Sequence, residues 1–106
     1  MSEALDRLFA TIAARKGADP AQSYTAKLLA EGVEKCAKKF GEEATEAVIA
    51  AVARNKTELA KESADVLYHL AVLWAASGLT PEDVYAVLAS REGTSGLEEK
   101  ASRAKG

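Results

Sequence analysis

The chain has 106 residues, of which 48% are hydrophobic, 28% charged and only 6% aromatic, with a net charge of −2. This size and composition fit one domain with a modest core built largely from small side chains. They argue against nucleic acid, because no basic stripe with interleaved aromatics exists, and against a membrane span, because no apolar run reaches about 18 residues.

In chain order, Leu5, Leu8, Phe9 and Ile12 repeat at helical spacing, so the first helix is expected over residues 3–16, stopped by Gly17-Ala18-Asp19-Pro20. Ser23-Tyr24-Thr25 precedes a short helix over 26–30 that ends near Gly32. A long third helix is expected over 33–55, with an apolar line through Val33, Ala37, Phe40, Ala44, Ala47, Val48, Ala51 and Val52. Gly41 inside it costs about 1 kcal/mol against alanine and marks a kink or a close backbone contact. The fourth helix, over 57–77, is apolar almost all round from 64 to 76, which makes it central and buried. Gly78 is its expected stop. Thr80-Pro81-Glu82-Asp83 has the form of a helix start, with Thr as N-cap, Pro at the first position and acids in the first turn; that helix covers 81–90. Residues 91–106 read as a polar tail. The whole is expected to be all-α, a bundle of four to five helices in a single domain over 1–106.

A helix apolar on every side needs neighbours on every side, and a chain this short offers few. A homodimer with a helical interface is therefore expected. Met1-Ser2-Glu3 lacks the basic and then apolar pattern of a signal peptide, and a cytoplasmic location is the default. Cys36 is alone, so it can form no internal disulfide or zinc site, and it reads as a small buried hydrophobe.

Chemistry is concentrated in two acidic clusters, Glu42-Glu43-Ala44-Thr45-Glu46 and Glu62-Ser63-Ala64-Asp65. Residues three apart share a helix face, so Glu43 pairs with Glu46, and Glu62 with Asp65. Taken singly, each acid is a solvated surface residue. Paired inside apolar sequence, on two helices packed antiparallel, the four carboxylates converge. Their mutual repulsion would then raise their pKa values, and a hard cation with oxygen ligands, Mg²⁺, is the usual remedy. Asp65 is expected to be the buried acid, because Ala64, Val66 and Leu67 surround it. Glu58 reads as surface. His69 lies one turn after Asp65 on the same face; a lone histidine there is a hydrogen-bonded core residue before it is a ligand.

Lys35, Lys38 and Lys39 precede the first cluster. Their spacing suits an i,i+4 salt-bridged face, and equally the neutralisation of phosphate beside a metal site, which is what phosphoryl transfer requires. No P-loop, GxSxG or HExxH motif is present. The Glu-x-x-His pairs of di-iron bundles are also absent, since Val66 stands three before His69.

Glu42-Glu43-x-x-Glu46 followed by Glu62-x-x-Asp65 resembles the EExxE…ExxD signature of the all-α, MazG-like nucleoside-triphosphate pyrophosphohydrolases. Within that superfamily the chain is similar to the phosphoribosyl-ATP pyrophosphohydrolase family. The segments that carry the likeness are Ser23-Tyr24-Thr25-Ala26-Lys27-Leu28-Leu29, Lys38 through Glu46, Glu62 through Leu70, and Arg91-Glu92-Gly93-Thr94-Ser95-Gly96. Phe40 departs from it, standing where a smaller aliphatic residue is expected.

The resemblance implies hydrolysis of phosphoribosyl-ATP to phosphoribosyl-AMP and pyrophosphate, Mg²⁺ dependence, and a homodimer with active sites near the subunit interface. It also implies a stand-alone hydrolase, because the zinc ligands of the cyclohydrolase to which such enzymes are often fused are absent. On this reading Glu43, Glu46, Glu62 and Asp65 hold the metal. Glu42 orients or deprotonates the attacking water, and Lys38 and Lys39 neutralise the departing charge. Lys35, His69 and Arg91 contact substrate, and Arg91 and Arg103 belong to a tail that closes over phosphate. The rival readings are a housecleaning hydrolase for another nucleotide and a non-enzymatic dimerisation module.

Overall fold

The computed structural model describes residues 3–93. Among them are five helices and no strand: α1 Glu3–Ala14, α2 Tyr24–Glu31, α3 Val33–Val52, α4 Lys56–Ser77 and α5 Pro81–Ser90. The expected tail from 94 onward lies outside the described residues.

Local signals set most of the boundaries. Ser23 caps α2 through its hydroxyl, which accepts from the Ala26 amide at 3.1 Å, so the helix begins at Tyr24, two residues earlier than expected. Gly32, at φ 96°, closes α2 and opens α3 in one residue. Thr80 and Asp83 form a reciprocal capping box at the start of α5. The first helix ends at Ala14 rather than 16, passing into turns through Arg15 and Lys16.

The third helix stops at Val52, three residues short of the expected end. The Arg54 amide bonds to the Ala51 carbonyl at 3.0 Å and the Asn55 amide to the Ala50 carbonyl at 3.1 Å, which is a Schellman turn. It uses an arginine at φ 59° where glycine is usual. The same turn at the end of α4 does use glycine, with Gly78 at φ 79° and the Leu79 amide bonding to the Trp74 carbonyl at 2.9 Å. Asn55 then serves as N-cap of α4, its side chain accepting from the Glu58 amide at 3.0 Å.

With only residues 53–55 between them, α3 and α4 fold into an antiparallel hairpin, the principal packing of the molecule. The α1 helix lies on α4, and α2 wedges against α3 and α4. Where these four meet, Ile12, Leu28, Cys36, Ala71, Val72 and Ala75 are buried, with Leu8, Phe9, Leu29 and Tyr68 packed around them. Cys36 is the small core residue expected, its thiol donating to the Leu28 carbonyl at 3.2 Å, and burial pushes that thiol's pKa up. The fifth helix packs loosely on the rest and is tied to α1 by the Tyr85 hydroxyl, which donates to Asp6 at 3.1 Å.

The apolar line expected along α3 is largely not the one that faces inward. Val48, Ile49 and Val52 are 61%, 62% and 78% exposed, and Val33, Ala37 and Ala51 are exposed too. The inward face instead runs through Cys36, Phe40, Glu43, Ala47 and Ala50. An alanine-rich helix carries two apolar lines at helical spacing, and composition alone does not say which one meets α4. In α4, Val72 and Ala75 are buried as expected, whereas Leu67 is exposed.

Gly41 makes no close contact, for a Cβ added there meets nothing within 4 Å. Gly41→Ala is therefore expected to raise stability by about 1 kcal/mol, readable as a higher Tm. A lower Tm would mean that a backbone from another molecule does approach this turn.

Candidate metal and active site

The antiparallel hairpin brings the two acidic clusters together. One oxygen each from Glu43, Glu62 and Asp65 lies within 4.8 Å of the other two. Glu46 joins them from the more exposed edge, within hydrogen-bonding reach of both Glu43 and Glu62. The buried member is Glu62, only 9% exposed, rather than Asp65, which is half-buried. Burial, and after it Glu46, Asp65 and Glu43, push the Glu62 carboxyl up to about 7. Glu43 is raised for the same reasons, burial first and then Glu46 and Asp65.

Oε2 of Glu62 is buried with no hydrogen-bond partner among the described residues. A buried carboxylate oxygen beside three further carboxylates is costly unless a cation meets it. An all-oxygen donor set of this kind fits a hard divalent cation, so the residues present suit a metal of the Mg²⁺ class.

His69, one turn beyond Asp65, is 6% exposed and forms a wall of the site. Its Nε2 stands 4.0 Å from Oε1 of Glu43, and its Nδ1 is buried without a partner among the described residues. Burial lowers its pKa, Lys39 acts in the same direction, and Asp65 and Glu42 oppose. The imidazole is therefore favoured in its neutral form. The rings of Tyr68 and Tyr24 meet it edge-on, with centroids 5.0 and 6.4 Å away. Thr25 in turn shares a hydrogen bond with the Tyr68 hydroxyl. The Ser-Tyr-Thr and Tyr-His segments of the sequence thus meet in space: Ser23 starts α2, which brings Tyr24 and Thr25 against His69 and Tyr68 of α4.

Lys39 is half-buried, with Nζ 3.6 Å from Glu42. Lys35, Lys38 and Glu42 are exposed, and Glu42 lies outside the convergent set formed by its neighbour Glu43. Arg91 caps the C-terminus of α5, on an element outside the hairpin.

Beyond the acids, toward the α3–α4 turn, the hairpin carries an open pocket of about 310 Å³. Ile49, Ala50 and Ala53 form its apolar walls, and Glu46, Glu58 and Glu62 supply carboxylates. Asn55 also lines it, and Glu58, expected to be plain surface, stands one turn before Glu62 at its far end. No motif announces these residues, because the pocket exists only once α3 stops at Val52 and α4 folds back. The one legible clue is the i,i+4 relation of Glu58 to Glu62.

This all-α hairpin gathers carboxylates from both arms beside a half-buried lysine, a donor set that could hold a divalent cation. The pattern that describes the phosphoribosyl-ATP pyrophosphohydrolases matches residues 5–92, and the chain belongs to that family. Among its relatives is a phosphoribosyl-ATP pyrophosphatase of Cereibacter sphaeroides, 64% identical over 99 residues that make up 93% of this chain and 96% of the relative. Those of Parvibaculum lavamentivorans and Paramagnetospirillum magneticum are 65% and 60% identical, covering 93% and 98% of this chain and 91% and 95% of their own lengths.

Proposed function

We propose that this protein hydrolyses phosphoribosyl-ATP to phosphoribosyl-AMP and pyrophosphate, the second step of histidine biosynthesis, in the cytoplasm and as a homodimer dependent on Mg²⁺. The observation that carries the reading is the convergence of Glu43, Glu62 and Asp65 in a chain 64% identical to a protein named for this activity. No helix among the described residues is long and apolar enough to cross a membrane.

Glu43, Glu46, Glu62 and Asp65 hold the cation. Bound there, Mg²⁺ supplies positive charge for phosphate oxygens and lowers the pKa of a water. Glu42, one residue outside the ligand set and steadied by Lys39, would orient the attacking water and take its proton. The water oxygen would bond to a phosphorus of the α–β bridge as the P–O bond to the leaving pyrophosphate breaks. Lys39, with Lys38 behind it, neutralises the charge that gathers on pyrophosphate. Lys35 and Arg91 add charge for substrate, and His69 faces the site as a neutral donor. The assay is release of pyrophosphate from phosphoribosyl-ATP, ATP and dUTP with Mg²⁺. Turnover of dUTP or ATP instead would make the protein a housecleaning hydrolase, and no turnover at all would leave a dimerisation module.

The exposed line Val48, Ile49 and Val52 supports the dimer, since a second copy would cover it. Light scattering at micromolar concentration is expected to give twice the monomer mass of 11.2 kDa. A mass of one chain would sink the dimer.

A further inference from the structure

We infer that His69 is a positioning residue: its Nε2–H orients the Glu43 carboxylate toward the other acids, and the imidazole itself touches neither cation nor substrate. Resting on the metal site proposed above, this names the atom that His69 serves.

The ring is enclosed and held in place. His69 is 6% exposed, and its Nε2 stands 4.0 Å from Oε1 of Glu43. The rings of Tyr68 and Tyr24 meet it edge-on, at interplanar angles of 81° and 85°. Tyr68 is fixed in turn by the hydrogen bond its hydroxyl shares with Thr25. A ring of α4 is thus held beside a carboxylate of α3 by side chains from α2 and from α4 itself. The atoms that lie within 4.8 Å of one another belong to Glu43, Glu62 and Asp65, and no nitrogen of His69 is among them. Direct contact with substrate would need an open polar edge, and this ring has none.

The same geometry decides which nitrogen carries the proton. Nδ1 is buried with no hydrogen-bond partner among the described residues. A proton there would bury a donor without an acceptor, and would turn the bare lone pair of Nε2 on a carboxylate oxygen. A proton on Nε2 faces that oxygen instead. The 4.0 Å gap is longer than a hydrogen bond, as such contacts often are before a site is loaded. Holding one carboxylate oxygen sets the plane of the whole group, and a partner that stands behind a metal ligand in this way typically carries about a tenfold to hundredfold share of metal affinity.

His69 is the only histidine in the chain. Nitrogen NMR of the histidine-labelled full chain above neutral pH therefore reads one ring, and its proton is expected on Nε2. Calorimetric titration of Mg²⁺ into the metal-stripped chain, with no nucleotide present, reads the ligand set alone. His69→Phe keeps a ring without nitrogens and is expected to weaken Mg²⁺ about tenfold or more. His69→Gln places its amide nitrogen near the position of Nε2 and is expected to recover most of that loss. His69→Asn places it near Nδ1 and is expected to fall with His69→Phe. Both amides forfeit the ring, so equal losses in the two would mean packing alone and would overturn the assignment. A proton on Nδ1 would overturn it too. So would unchanged Mg²⁺ affinity in His69→Phe with a raised KM for phosphoribosyl-ATP, the mark of a substrate contact. If His69→Phe does not fold, the amide pair and the NMR signal still decide. The two readings fail separately. The expected Mg²⁺ losses without turnover of phosphoribosyl-ATP by the unaltered protein would remove the substrate and keep the role of His69. Turnover with Mg²⁺ affinity intact in every variant would do the reverse.

Discussion

Glu62→Gln is expected to lower turnover by roughly a thousandfold or more while making the metal-free protein more stable above neutral pH. Both effects come from the same crowding. Glu62 is the most buried of the convergent acids, has an oxygen with no described partner, and carries a carboxyl pushed up to about 7 by burial and by Glu46, Asp65 and Glu43. A folded-state pKa above the unfolded value of 4.5 means that the folded protein holds this proton more tightly than the unfolded chain does. The stability linked to it is full below the unfolded pKa and is lost as pH rises through about 7. Without metal, the Tm should therefore fall as pH rises from about 4.5 to about 7 and level off above that. Glutamine has no such proton to lose, and its Tm should change less over that range. At the proposed metal site Mg²⁺ would take the place of the proton, so the gain in Tm on adding Mg²⁺ should grow with pH in the unaltered protein and shrink sharply in the variant. Thermal melts with EDTA and with Mg²⁺ across that range read all of this. Near-normal activity in Glu62→Gln, or a metal-induced gain that persists in it, would dismiss the cluster as the metal site.

What the sequence discloses and what it hides follow a physical line. The start of α5 and the end of α4 fall where expected because their signals are local: Thr80 with Asp83 satisfies the first amides, and Gly78 takes the left-handed turn at no steric cost. The end of α3 is misjudged because Arg54 adopts that left-handed conformation without a glycine to announce it. The acids are legible because spacing of three on each helix requires a shared face. Which acid is deepest is not, since Asp65 has the more apolar neighbours in sequence while Glu62 has the more enclosing neighbours in space. The inward face of α3 is misassigned because alanine fits both faces of a helix equally well. The pocket is invisible for a different reason: its walls come from both sides of a turn whose position had first to be known. His69 occupies a middle ground. Its place on the Asp65 face is a matter of counting, but its burial between Tyr24 and Tyr68 depends on α2 docking against the hairpin.

Lys39→Ala is expected to cost about a hundredfold in kcat/KM, and Lys38→Ala no more than a few-fold. Adjacent side chains on a helix diverge by about 100°, so the two lysines cannot serve one phosphate from the same face, and the spacing alone favours Lys39. The structure separates them further. Lys39 is half-buried, lies 3.6 Å from Glu42, and makes its charge felt at His69 inside the site. Lys38 is exposed, where solvent screens whatever charge it offers. If Lys39 neutralises the leaving pyrophosphate, its loss should appear mainly in kcat, because that charge develops as the bond breaks. Lys39→Arg should then recover part of the rate, since charge is restored with a different reach. If Lys39 only steadies Glu42, Lys39→Ala should resemble Glu42→Gln in its pH profile, and arginine should rescue through the same ion pair. Equal losses at both lysines would mean that the hairpin face described above is not the one that meets phosphate, or that a second subunit brings phosphate to Lys38.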